Sequence, residues 1–328
     1  MVNTCCTPYA QKARLFAEAK AMGARYIRLD VVLDGIFDVW NAPPPARDWT
    51  GVDEVVALSR RHRLPVLAVM RATPARISSC PDRRPEGHHL CAPSDPRRFG
   101  RYVSAVVARA PDVFRAVEVW NEPDGEWAFD GTPAQYAAML SATYRAVKRR
   151  FPRVPVLVGG AMDLDGRDWY RRALRAIRGN RGFDVANVHV RGRRATLAST
   201  IRRWRRLFRR HGHRGPMWVT EAGYPSDSRF QRDPVYRGGE PGQARYLRDA
   251  LPVMLRAGAD QVFVTLRDSW LSEFGPATPF GSEGVLTMDE REPYEVRRKR
   301  AFATVRRLCS GGRNDRVTPR LSVAGEVR

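Results

Sequence analysis

The stretch Val119-Trp120-Asn121-Glu122-Pro123 decides the fold, because it closes an apolar run with a carboxylate and then turns at a proline. A second stretch, Trp218-Val219-Thr220-Glu221-Ala222-Gly223-Tyr224, repeats that pattern farther along the chain. A carboxylate at the C-terminal tip of a parallel strand points into the mouth of a (β/α)8 barrel, where such folds keep their chemistry. The two stretches therefore predict a barrel with one glutamate from each of two strands at its mouth.

Helical and strand periods alternate outward from these stretches over nearly the whole chain, a pattern typical of parallel sheets. The predicted strands are 26–32, 65–70, 116–121, 154–159, 185–190, 217–220 and 261–266. The predicted helices are 11–22, 52–62, 96–110, 133–150 (with Thr132 as N-cap), 168–177, 196–210, 242–257 and 294–308. This arrangement predicts an α/β protein with a TIM barrel.

An eighth strand is expected before the first helix, where only Val2-Asn3-Thr4 remains. We therefore predict that the first strand is short or truncated. One barrel domain is expected over residues 1–310, followed by a poorly ordered tail over 311–328. The alternative, a doubly wound open sheet, needs a glycine fingerprint at its first strand–helix turn, and the sequence has none there.

The two glutamates are the groups that carry chemistry. Hydrolysis of a glycosidic bond needs two carboxylates facing one substrate, one to protonate the leaving oxygen and one to attack carbon or activate water. Strand alternation predicts that Glu118, Trp120 and Glu122 share one face, so that Glu118 also points inward and needs a cation such as Arg28.

Together, Asn121-Glu122-Pro123 and Thr220-Glu221-Ala222-Gly223 resemble the clan A glycoside hydrolases, in particular the cellulase-like and family 39-like members. The likeness covers most of the chain and includes Tyr26-Ile27-Arg28-Leu29-Asp30 on the second strand of the barrel. It implies a retaining mechanism without a cofactor, in which Glu122 is the acid/base and Glu221 the nucleophile. Arg28 is the implied cation beside the nucleophile.

The same resemblance implies further contacts with the sugar. Asn121 resembles the asparagine that bonds the hydroxyl beside the reacting carbon, and His189 fits the histidine at the end of the sixth strand. Tyr224 is also expected to touch substrate.

The chain departs from the family in its aromatic residues. Arg191 stands where relatives carry an aromatic side chain, and Phe263-Val264 stand where Trp-Tyr is expected. Trp127 and Trp270 are candidates to supply the missing sugar-stacking surface, although ordinary packing explains either equally well. Arg191 near the cleft suggests a carboxylated sugar.

Cys80 and Cys91 bracket a stretch rich in proline, arginine and histidine. A disulfide closing this loop would stabilise the fold by roughly 2–3 kcal/mol. The alternative is a metal site formed by both cysteines with His88 and His89, which fits tetrahedral zinc poorly, so we predict no metal. A disulfide favours a secreted or cell-surface protein. Residues 1–7 lack the basic and apolar regions of a signal peptide, which leaves localisation open.

The chain is strongly basic, with 57 Lys and Arg against 35 Asp and Glu, a net charge of +22. The arginines are spread over nearly every predicted helix, which favours compositional bias over attraction to anionic glycans or nucleic acid. No zinc-finger spacing, aromatic ribonucleoprotein motif or phosphate-binding glycine loop supports specific nucleic-acid binding. The sequence contains no run of 18 apolar residues, the length that would indicate a membrane span.

These observations predict a monomeric retaining glycoside hydrolase that acts on β-linked sugars of a poly- or oligosaccharide. The alternatives are a catalytically weak or inactive barrel that binds glycans and a basic nucleic-acid-associated protein.

Overall fold

The computed structural model describes residues 7–38, 47–83, 86–162, 166–177, 182–269, 278–311 and 321–324. Its strands are β1 Ile27–Val32, β2 Val66–Arg71, β3 Phe114–Asn121, β4 Val156–Gly160, β5 Ala186–His189, β6 Met217–Ala222, β7 Gln261–Thr265, β8 Leu286–Met288, β9 Val296–Arg298 and β10 Leu321–Ala324. Its α-helices are α1 Tyr9–Met22, α2 Leu33–Phe37, α3 Thr50–His62, α4 Pro96–Arg109, α5 Pro133–Arg150, α6 Arg167–Ala176, α7 Arg194–Arg210, α8 Gly239–Arg256 and α9 Arg300–Ser310. No helix in these ranges is long and apolar enough to cross a membrane.

Eight parallel strands form one sheet in the order β4-β3-β2-β1-β10-β7-β6-β5. The two ends of the sheet meet through parallel bridges that join Leu157 to Val185 and Ala161 to Val188. This closure, with helices between the strands, confirms the predicted (β/α)8 barrel and excludes the open doubly wound sheet.

The eighth barrel strand comes from the C-terminal end of the chain. Strand β10 lies between β1 and β7, with Val323 opposite Ile27 on one side and Val264 on the other. Residues 2–4, where we expected the eighth strand, lie outside the described residues. Leu321–Ala324 falls within the predicted poorly ordered tail, yet all four residues are buried. The gap between β1 and β7 exposes two rows of backbone groups, and pairing with this short apolar segment satisfies both rows.

Side chains fill the lower interior of the barrel. Leu67, Ala116, Leu157, Phe263 and Ala324 belong to one buried cluster there. Phe263 therefore plugs the barrel interior and does not form the floor of a sugar subsite. The space between strands and helices holds the larger core, and its biggest buried aromatic side chains are Trp120, Trp204, Tyr136, Tyr170 and Tyr246.

Two helix ends show how local sequence sets the elements. The predicted N-cap Thr132 forms a capping box with Gln135, in which each side chain bonds the other residue's backbone N–H. The last helix begins at Arg300, later than predicted, because Val296–Arg298 pairs with Leu286–Met288 in an antiparallel hairpin.

Candidate active site

Four strands of the barrel bring a group of charged side chains together inside its mouth. The participants are Arg28 from β1, Glu118, Asn121 and Glu122 at the end of β3, His189 at the end of β5, and Glu221 near the end of β6. All six are buried. Asn121, Glu122, His189 and Glu221 lie at the C-terminal ends of their strands, the face on which TIM-barrel enzymes carry their active sites. Arg28 and Glu118 lie earlier in their strands, deeper in the barrel.

The backbone at the end of β3 departs from regular alternation. Trp120 has φ 71° and Glu122 has φ 43°, values in the left-handed region that bulky residues rarely adopt. The Trp120 ring packs outward against Phe99 and Phe129, and its indole N–H donates to the Ala128 carbonyl at 2.8 Å. Asn121 and Glu122 consequently both contact interior side chains. The prediction that Trp120 shares a face with Glu118 and Glu122 is wrong, and such strain is typical of functional sites.

Arg28 is the centre of a buried ion network. Its guanidinium donates to both Glu118 oxygens at 2.8 and 3.0 Å and to Glu221 Oε1 at 2.8 Å. Burial opposes its charge, but the carboxylates of Glu118 and Glu221 outweigh that effect and raise the pKa of Arg28 above its usual value. The network fixes one oxygen of Glu221 and keeps a positive charge beside it.

Asn121 is oriented by the same guanidinium. Arg28 Nη2 donates to Asn121 Oδ1 at 2.7 Å. Because the amide oxygen accepts this bond, the NH2 group of Asn121 is the end that can donate to a substrate.

His189 lies between the two glutamates. Its Nδ1 atom is 2.7 Å from Glu122 Oε1 and 3.3 Å from Glu221 Oε2. One carboxylate oxygen of each glutamate and one His189 nitrogen all lie within 4.8 Å of one another. The two carboxyl groups therefore face each other across one small space.

These three side chains also form a nitrogen and oxygen donor set of the kind that a divalent cation binds. Glu221 already accepts hydrogen bonds from the guanidinium groups of Arg28 and Arg191. Two adjacent positive charges oppose a further cation, so the prediction of a site without metal stays our working interpretation.

Arg191 holds the second oxygen of Glu221. Its Nη2 donates to Glu221 Oε2 at 3.1 Å, and its Nε donates to Glu283 at 2.9 Å. The guanidinium also lies 5.2 Å from the centre of the Phe280 ring. Sequence reasoning placed Arg191 near the cleft but missed Glu283, which is buried in the segment before β8.

Two further buried carboxyl groups near the barrel mouth were not predicted. Burial raises the pKa of Asp124, two residues after Glu122, to about 7. Its Oδ1 accepts the Met162 backbone N–H at 3.2 Å. Burial also raises the pKa of Asp30 to about 6, against the opposing effect of Arg71, whose Nη1 is 3.0 Å from Asp30 Oδ2.

The predicted aromatic contacts have different outcomes. Tyr224 is buried with its ring stacked on Tyr246 of α8 at 3.9 Å, and its hydroxyl contacts the Asp233 backbone, which differs from the predicted sugar contact. Trp127 is 39% exposed on the loop after Glu122, so its role in stacking stays a prediction. Trp270 lies outside the described residues.

The cysteine loop is closed as predicted by a disulfide between Cys80 and Cys91, with a Cα–Cα distance of 6.2 Å. The alternative of a metal site on these cysteines is thereby excluded. His88 instead contacts Asp34, with Nε2 at 3.1 Å from the carboxylate, so the loop is attached to the segment after β1.

Residues 97–259, about half of the chain, match the family model of the glycosyl hydrolase catalytic core. This segment is a glycosyl hydrolase catalytic core. It contains both glutamates, Asn121, His189 and Arg191, and it confirms the resemblance to glycosidases that the two motifs indicate. No curated protein sequence matches the chain.

Solved structures of glycosidases share the fold. A monomeric beta-xylosidase from Caulobacter crescentus CB15 superposes with a TM-score of 0.67 at 19% identity, over 91% of this chain and 64% of that one. A family 39 glycoside hydrolase from Bacteroides cellulosilyticus WH2 gives 0.65 at 16% identity, over 95% and 64%. An exo-beta-1,4-mannosidase from Opitutaceae bacterium strain TAV5 gives 0.65 at 15% identity, over 96% and 59%. The chain thus spans about 60% of the length of these proteins, and at such low identities the likeness concerns the fold.

Proposed function

We propose that this glycosyl hydrolase core is a retaining glycosidase for β-linked sugars, with Glu122 as the acid/base and Glu221 as the nucleophile. One observation carries the proposal: one oxygen of each buried carboxylate lies within 4.8 Å of the other at the mouth of the barrel, and His189 Nδ1 contacts both, at 2.7 and 3.3 Å. Retaining glycosidases separate their carboxyl groups by about 5–5.5 Å, whereas inverting ones need roughly 6.5–9.5 Å to admit a water.

The reaction would proceed in two displacements. Glu221 attacks the anomeric carbon as Glu122 gives its proton to the leaving glycosidic oxygen, so that the C–O bond breaks and a glycosyl ester forms. Glu122 then takes a proton from water, the water oxygen attacks the same carbon, and Glu221 leaves as a carboxylate. Two inversions at one carbon give net retention.

Each neighbouring side chain has a task in this scheme. Arg28 and Arg191 donate to different oxygens of Glu221, which favours its ionised form and fixes its orientation. The NH2 group of Asn121 would donate to the hydroxyl beside the reacting carbon. The His189 contact with Glu122 would give way when a glycosidic oxygen enters, because catalytic hydrogen bonds commonly rearrange on substrate binding.

The pairing of Arg191 bears on the substrate. Its positive charge is offset by both Glu221 and Glu283. This arrangement favours a role on the nucleophile over recognition of a sugar carboxylate, so we propose that the cleaved sugar unit itself need not be acidic. We further propose that the enzyme acts as a monomer.

A panel of aryl β-glycosides tests the proposal. Wild-type protein should hydrolyse at least one of them, and Glu221→Ala should abolish turnover while remaining folded by circular dichroism. Azide should restore activity to Glu221→Ala as a glycosyl azide of inverted configuration, because it replaces the missing nucleophile. Glu290→Ala, at an exposed position between β8 and β9, is the matched control and should keep full activity.

A glycan-binding barrel without catalysis is the second candidate. It is motivated by the burial of both glutamates, which are only 4% and 3% exposed, and by the direct bond from His189 to Glu122. Calorimetric binding of an oligosaccharide by wild-type protein that hydrolyses no glycoside would favour it and contradict the enzymatic proposal.

A further inference from the structure

Most of the net positive charge of this protein lies in one segment of the chain. Residues 133–210 contain 20 Lys and Arg against four Asp and Glu, a net charge of +16 out of +22 for the chain. The other 250 residues therefore share only +6. This segment contributes α5, α6 and α7, which pack side by side on the outside of the barrel. We call the surface formed by α5, α6 and α7 the basic flank.

Compositional bias alone predicts an even spread of net charge along the chain, and residues 133–210 depart from it. Elsewhere on the surface some arginines pair with acidic side chains, as Arg60 does with Asp112 and Arg109 with Asp53, each through two hydrogen bonds. Others, such as Arg256, Arg306 and Arg307, are exposed and form no ion pair within the described residues. On the basic flank, Arg203, Arg206 and Arg210 are exposed and form no ion pair within the described part of the chain. What distinguishes the flank is the excess of basic over acidic side chains in its segment.

The flank has a groove suited to an anionic chain. Arg203, Arg206 and Arg210 follow each other at intervals of three and four residues, so they lie along one face of α7. That face lines a groove shared with Arg171 of α6, and among the described residues that line it the one acidic side chain, Asp168, pairs with Arg171. Crowding like charges in this way is unfavourable until an anion neutralises them.

We propose that the basic flank binds an acidic polysaccharide. The anionic groups that the flank binds belong to sugar units other than the one that is cleaved at the barrel mouth. Of the 20 basic residues in the segment, 19 are arginines, whose planar fork matches a carboxylate through two parallel hydrogen bonds. The surface differs from one built for single-stranded nucleic acid, because bases need exposed aromatic rings for stacking. Trp204 and Phe208 of α7 are buried, and no described aromatic side chain of the flank is among the exposed ones.

Binding of the full chain to polygalacturonate, measured by affinity electrophoresis over a salt series, tests the proposal. Neutral dextran and duplex DNA are the comparison polymers. The flank variant is Arg203→Gln/Arg206→Gln/Arg210→Gln. The control variant makes the same charge change in exposed arginines of α8 and α9, as Arg256→Gln/Arg306→Gln/Arg307→Gln.

The flank variant should lose about tenfold or more in affinity for polygalacturonate, with a salt dependence weaker by roughly one ion per arginine removed. The control variant should bind like wild type. The binding measurement does not depend on the proposed reaction. Where the proposed function holds, hydrolysis of a small aryl glycoside should be unchanged in the flank variant.

Three results would overturn the proposal. Equal losses in the two variants would mean that only total charge matters. Tighter binding of DNA than of polygalacturonate would make the flank a nucleic-acid surface. Absence of polygalacturonate binding at about 0.1 M salt, where charges are screened beyond roughly 10 Å, would leave no polysaccharide site.

Discussion

Replacing Arg191 with leucine should weaken the proposed nucleophile without abolishing it. Arg191 donates one charge-assisted hydrogen bond to Glu221 Oε2 at 3.1 Å, while Arg28 keeps its own bond to Oε1 at 2.8 Å. A hydrogen bond to a charged group contributes about 1.5–3 kcal/mol. If that stabilisation is lost in the transition state, kcat/KM falls roughly 10- to 150-fold, since each 1.36 kcal/mol is a factor of ten.

The pH profile separates this role from a structural one. A cation beside a carboxylate favours its ionised form, so the acidic limb of kcat/KM should move to higher pH in Arg191→Leu. Arg191→Lys keeps the positive charge but loses the planar guanidinium group that also contacts Glu283. It should therefore shift the acidic limb of the pH profile less than Arg191→Leu does.

Steady-state kinetics on an aryl β-glycoside between about pH 4 and 8 make the comparison, with unfolding in urea as a check of stability. Exposed Arg206→Leu on α7 is the control and should leave both kcat/KM and its pH profile unchanged. If Arg191→Leu keeps kcat/KM within a factor of two and the acidic limb does not move, Arg191 does not act on the nucleophile.

Three further changes have defined outcomes. Arg28→Met should lower the free energy of unfolding by about 3–5 kcal/mol, because it leaves buried Glu118 without its cation and removes one of the two cations beside Glu221. The double variant Cys80→Ser/Cys91→Ser should lose roughly 2–3 kcal/mol through the freed loop, seen as a lower Tm. Asp124 has its pKa raised from 3.8 to about 7 by burial, so the native state binds the extra proton and stability should fall as pH rises through this window. Asp124→Asn should remove that part of the fall, as measured by urea unfolding at a series of pH values.

Each of these has its own control. Arg206→Met should change the unfolding free energy by less than about 0.5 kcal/mol, as for exposed sites generally. Reductant should lower the Tm of wild type but not of the double cysteine variant. If Asp124→Asn shows the same dependence of stability on pH as the wild type, the extra proton is bound elsewhere. The other buried carboxyl groups that could bind it are Asp30 and Asp268, whose pKa values are each raised to about 6.

The fold was largely predictable because its signals are local. Seven strands lie within a few residues of their predicted positions, since apolar runs bounded by turn residues mark each strand before its helix. The motifs at Glu122 and Glu221 identified the strand ends that face each other, because parallel strands of one barrel all end at the same mouth.

The eighth strand could not be located in the same way. Leu321–Ala324 has four residues and, unlike the equally short Ala186–His189, does not lie within a longer apolar run. Its place is set by the gap between β1 and β7, which appears only when the barrel is assembled.

The features of the site that could not be predicted from sequence depend on long-range contacts. Glu283 reaches Arg191 across 92 positions, and nothing in the residues around it signals this partner. The left-handed backbone at Trp120 reverses the expected side-chain direction, and no glycine marks it. Both features depend on how distant segments pack, so pattern analysis does not detect them.

The most direct test of the central claim is the configuration of the sugar first released from an aryl β-glycoside, followed by proton NMR before mutarotation. The pairing of Glu122 and Glu221 in one narrow space predicts that the β-anomer appears first. Initial release of the α-anomer would show a single displacement by water and would contradict Glu221 as the nucleophile.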